Sequence, residues 1–129
     1  MSANCKCERR GGPRLVFACS GAADVGAVAD QAARKLSRDG VGQMFCLAGI
    51  GGRVSGIMKT TEVADAILAI DGCPLDCAKN SLMEAGFTEF KHLQLADVGL
   101  NKCSTDVSDE NIERVAALGA DLLSSDDSD

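Results

Sequence analysis

Ala66-Ile67-Leu68-Ala69-Ile70-Asp71-Gly72-Cys73-Pro74-Leu75-Asp76-Cys77 is the stretch that decides the fold. An apolar run without alternation, closed by Asp-Gly-Cys-Pro, reads as a strand buried on both faces that turns sharply into a helix. Pro74 suits the first helical position, where its missing N–H costs nothing and its φ is already helical. The helix is expected from Pro74 to Ala85, with Gly86 as its stop. Cys73 then falls at or beside the N-cap and Cys77 one turn later on the same face. Two thiols so placed form a half-site, because the positive end of a helix favours thiolates.

Further apolar runs carry the same pattern outward. Arg14 to Cys19 reads as a first strand, closed by Ser20-Gly21. A helix follows over Ala22 to Arg38, with Val25, Val28, Ala29, Ala32, Ala33 and Leu36 at helical spacing and Gly40 beyond its end. Gln43 to Ala48 reads as a second strand and Gly49 to Gly56 as a glycine-rich loop. Thr60 or Thr61 is expected to cap a short helix before the third strand. Glu89 to Ala96 reads as the fourth strand. Ser108 caps a last helix with Asp109 and Glu110 in its first turn and Ile112, Val115, Ala116, Gly119 and Leu122 as its inner stripe.

Strands alternating with helices predict a parallel sheet covered on both faces. The expected fold is α/β, a three-layer α/β/α sandwich with a mostly parallel sheet of about four strands. Residues 1–13 are expected to form a flexible N-terminal arm, 14–123 a single domain and 124–129 a disordered acidic tail. A chain of 129 residues can close such a core without staples.

Composition narrows the function classes. The net charge is −6 and aromatics make up 3%, with no Trp and no Tyr, which argues against base-stacking surfaces and a nucleic-acid partner. No apolar segment approaches the ~18 residues of a membrane span. The polar, cysteine-bearing N-terminus has no apolar core of a secretory signal. Cytoplasmic location is expected, and in a reducing compartment clustered cysteines are metal ligands or redox thiols more often than disulfides.

There are seven cysteines. Cys19 closes strand one, Cys46 lies near the end of strand two, and Cys73 with Cys77 follow strand three. Sites in open parallel sheets form outside the carboxyl ends of the strands. In the flavodoxin-like order 2-1-3-4 the three carrier strands are neighbours, roughly 4.8 Å apart. In the order 3-2-1-4, strand two would part strands one and three by roughly 10 Å. A zinc ion holds its sulfurs at about 2.3 Å, so a shared site selects the order 2-1-3-4.

The segments Ala18-Cys19-Ser20-Gly21, Cys46-Leu47-Ala48-Gly49-Ile50-Gly51-Gly52 and Asp71-Gly72-Cys73-Pro74-Leu75-Asp76-Cys77-Ala78-Lys79 together resemble the DGC-domain family, small bacterial and archaeal zinc-binding proteins. Asp97-Val98-Gly99-Leu100 resembles the family's segment after strand four. The resemblance implies that Cys19, Cys46, Cys73 and Cys77 are the family's four cysteines and its zinc ligands. It names an ion and no reaction. Cys5, Cys7 and Cys103 lie outside the pattern, and four thiolates would equally suit an iron–sulfur centre.

Other residues offer weaker signals. Asp71 is a candidate turn cap and Asp76 a first-turn carboxylate, and either is a conceivable general base. His92, the one histidine, reads as a packed side chain of strand four. Arg53 and Lys79 are candidates for holding a small anionic ligand. Three functions follow: a zinc-binding module, a thiol enzyme with Cys73 as nucleophile and Cys77 as resolving thiol, and a small-molecule binder using Gly49 to Gly56. Nucleic-acid and membrane partners are not expected.

Overall fold

The computed structural model describes residues 12–19 and 21–124. Arg14–Ala18 forms β1, Asp24–Arg38 α1, Gln43–Met44 β2, Leu47–Gly51 α2 and Ser55–Glu62 α3. Ala66–Asp71 is β3, Cys77–Glu84 α4 and Lys91–Gln94 β4. A single 3-10 turn over Leu95–Val98 leads towards α5, Asp109–Ser124. β1 pairs in parallel with both β2 and β3, and β3 with β4, so the order is β2-β1-β3-β4. This is the order a shared sulfur site requires.

Strand side chains point alternately to the two faces. Val16 and Ala18 of β1, with Leu68 and Ile70 of β3, face the α1 and α5 layer. Leu15 and Phe17, with Ile67 and Ala69, face the opposite layer, where Ile50 of α2 and Ala78 and Leu82 of α4 meet them. The unalternating apolar run in the sequence is thus the signature of a strand sandwiched between two cores. Burying one side chain such as Phe17 contributes about 1.5–3 kcal/mol.

Three local expectations are corrected. β2 is two residues long, not six, and Leu47–Gly51 is helical. Phe45 N–H still donates to Val16 O at 2.8 Å, but the chain then leaves the sheet edge. Leu47 and Ile50 sit three apart, and both pack into the same core, so their spacing serves a helix face. The glycine-rich segment is consequently no open loop, since it ends α2 and begins α3. A Cβ on Gly49 would lie 2.1 Å from Ile57 Cδ1, so this glycine lets the two helices touch.

Thr60 and Thr61 lie in the last turn of α3 rather than at its start, their hydroxyls donating to Gly56 O at 3.0 Å and Ile57 O at 2.8 Å. A hydroxyl that can cap a helix can also bond back four residues within one. The third correction is the start of α4. Asp76 N–H donates to Cys73 O at 3.1 Å, closing a turn with Pro74 and Leu75 in its middle, and the helix begins at Cys77. Proline's fixed φ suits the second place of a turn as well as the first of a helix. Cys73 therefore precedes the helix and does not cap it.

The end of the chain follows expectation. Ser108 Oγ accepts the Asn111 N–H at 3.2 Å, and Val115, Ala116 and Gly119 of α5 are buried. The expected arm and acidic tail lie outside the described residues, apart from residues 12, 13 and 124, as do Cys5 and Cys7.

Candidate metal centre

The carboxyl ends of β1 and β3 are fastened to each other through a cysteine. Cys19 N–H donates to Ile70 O at 3.1 Å, carrying the sheet pairing one residue past β1. Its Sγ in turn accepts the Gly72 N–H at 3.3 Å. Burial pushes the half-buried Cys19 thiol above its ordinary value of 9.0; the Gly72 N–H opposes this, and the charges of Asp71, Cys77 and Cys73 add to it. Those three groups therefore stand within electrostatic reach of one sulfur.

The other thiols differ in setting. Cys73 is partly buried and packs against the α1 and α5 core. Cys77 is exposed as the first residue of α4, and Cys46 is exposed at the N-cap of α2. Cys46 also lines an open groove of about 820 Å³ beside Arg34 and Arg38, along the outer edge of β2. No three of the sulfurs lie within 4.8 Å of one another among the described residues. Cys103 is exposed, with a left-handed backbone at φ 73.

A difference in alkylation rate follows for the metal-free chain. Cys19 is screened and held protonated, so iodoacetamide at pH 8 is expected to label Cys77 well before Cys19. Peptide mass mapping checks this, and faster labelling at Cys19 would contradict the packing described for its sulfur.

Beside the thiols stands a group of different chemistry. Asp71, at the end of β3, is 1% exposed. Its Oδ1 accepts the Ala78 N–H at 2.7 Å and its Oδ2 the Lys79 N–H at 3.0 Å, so it caps α4 from the sheet. His92 Nε2 lies 2.9 Å from Asp71 Oδ2 and 3.6 Å from Asp76 Oδ1. Gln94 Nε2 donates to Asp76 Oδ1 at 2.5 Å. Asp71, Asp76 and His92 present ligand atoms that all lie within 4.8 Å of one another, the one such group among the described residues. Asp71 as a capping residue was legible in the sequence, but at the turn rather than at α4, whose first N–H groups it accepts. His92 was not, because its role depends on the β3–β4 register, which sets Gln94 against Asp71 and turns His92 to the same face.

Asp24 at the start of α1 has a tethering role that its place in the sequence does not reveal. Its carboxylate accepts the N–H groups of Cys103 at 3.0 Å and Thr105 at 3.1 Å. These bonds hold it below the ordinary 3.8, and the tether they form is present above the unfolded value and lost as pH falls through the folded one. Arg53 donates to the carbonyls of Ile50, Gly51 and Glu84, which bridges α2 to the end of α4. No described helix is long and apolar enough to cross a membrane.

The model of the DGC domain matches residues 15–118 of the chain. A curated relative, the anaerobic and virulence modulator AnvM of Pseudomonas aeruginosa, is 40% identical over 88 residues, covering 68% of this chain and 67% of the relative. No solved structure matches the chain.

Proposed function

This chain belongs to the DGC-domain family, and we propose that it is a cytoplasmic zinc-binding module whose ion is held by Cys19, Cys73, Cys77 and Cys46 at the carboxyl edge of the sheet. The observation that carries this reading is the Cys19 Sγ bond to Gly72 N–H, which ties the ends of β1 and β3 together. Cys73 is the next residue along, and Cys77 follows after one turn. Cys46, exposed at the exit of the neighbouring edge strand, is the fourth ligand of the proposed set. Four thiolates leave no place for a substrate, so the ion would act on the fold rather than on a reactant.

The full chain, purified anaerobically, is expected to carry at least one zinc per molecule by elemental analysis. Serine at Cys73 or Cys77 should remove that ion, and serine at Cys103, Cys5 or Cys7 should leave it. Chelation should lower the melting temperature while helical circular dichroism persists, because the two apolar cores do not depend on metal. A site filled at a thousandfold above its Kd adds about 4 kcal/mol. A metal-free protein that takes up no zinc, and melts alike with and without chelator, would defeat the proposal.

A further inference from the structure

We propose that Asp71, Asp76 and His92 form a second cation site, separate from the thiols, for a divalent ion of the zinc, cobalt or manganese class. It goes beyond the thiolate reading, since it uses none of the cysteines. The donor geometry is the first argument. Around a tetrahedral ion at about 2.1 Å, donor atoms lie about 3.4 Å apart. His92 Nε2 lies 2.9 Å from Asp71 Oδ2 and 3.6 Å from Asp76 Oδ1, which brackets that value.

The second argument is proton supply. One imidazole nitrogen carries one hydrogen at most, and here it faces two carboxylate oxygens. A divalent ion in place of that proton engages all three donors and offsets both negative charges.

The third is orientation. Carboxylate ligands work when their own hydrogen bonds fix them. Asp71 is held by the Ala78 and Lys79 N–H groups, and Asp76 by Gln94. The side chains are 1%, 19% and 21% exposed for Asp71, Asp76 and His92, so an ion reaches the site from one side and keeps water there. Two carboxylate oxygens with an imidazole suit borderline ions rather than thiophilic ones.

The face of the sheet divides the cation group from Cys19 and Cys73, while Cys77, at the start of α4 directly after Asp76, is where the two sites come nearest. Ile70 and Leu93 point into the α1 and α5 core, where Cys19 and Cys73 also pack. Asp71 and His92 alternate with them and turn to the α4 side.

Cobalt(II) titrated into the chelator-stripped full chain tests this, with native mass spectrometry counting ions and the near-ultraviolet band reporting cobalt–thiolate bonds. Wild type should bind two ions. His92→Ala and Asp76→Asn should each bind one and keep the thiolate band, whereas Cys73→Ser should lose the band and retain one ion. One ion in wild type, with a band that His92→Ala leaves untouched, overturns the second site and spares the thiol site. One ion without the band, lost in His92→Ala, supports the second site and overturns the thiol reading. Loss of band and ions together in both His92→Ala and Asp76→Asn would mean a single mixed centre, and the separation proposed here would fall.

Discussion

Gly72→Ala is expected to destabilise the domain by about 3 kcal/mol, the upper end of what overpacking costs. A Cβ at this position would lie 2.7 Å from the Val25 carbonyl carbon, 2.9 Å from Gly26 N and 2.9 Å from Val25 Cγ2. Two of those atoms are backbone of the first turn of α1, which cannot step aside without dragging the helix off the sheet. The same displacement would pull Gly72 N–H away from Cys19 Sγ, so the metal site would suffer with the fold. Gly51→Ala makes the matched control, because nothing lies within 4 Å of a Cβ there and the residue ends a short helix. It should be neutral or stabilising by up to about 1 kcal/mol. At roughly 3–4 °C per kcal/mol for a domain of this size, thermal melts should separate the two by about 10 °C or more. Equal melting temperatures would mean that α1 does not pass Gly72 as closely as described.

That glycine also shows where sequence reading succeeds and where it stops. Runs such as Arg14–Ala18 and Ala66–Asp71 announce interior strands because both faces must be apolar, and the strand order follows once cysteines on strands one and three are required to meet. Short elements are less legible. Leu47 and Ile50 can be read as a strand end or a helix face, and only their contacts with the α4 layer decide it. Pro74 satisfies two geometries with the same φ, so the sequence alone does not place the start of α4. His92 and Asp76 come together through a register and a left-handed residue at φ 55, neither of which leaves a mark in residue type. Cys19 and Cys73 were placed by position relative to strand ends, a coarse signal, and they do lie at the carboxyl ends of β1 and β3 even though the start of α4 was misplaced.

Asp71→Ala is expected to cost about 3–4 kcal/mol, and its cause is polar rather than steric. The carboxylate satisfies two N–H groups in the first turn of α4, and the Ala78 residue it reaches is fully buried. Water cannot replace it there. Losing a cap alone costs about 1–2 kcal/mol, and stranding a buried donor adds about 1–3 kcal/mol. The helix dipole loses its anionic partner at the same time. Asp71→Asn keeps one acceptor for Ala78 but turns an N–H donor towards Lys79 N–H or His92, so it should fall between, at about 1–2 kcal/mol. Denaturant melts give the ranking, and hydrogen exchange at the Ala78 and Lys79 amides identifies the cause. If those amides exchange no faster in Asp71→Ala than in the parent, the cap is not what holds α4 to β3. The loss must then be assigned to His92, whose own alanine variant leaves both helix amides with their acceptor.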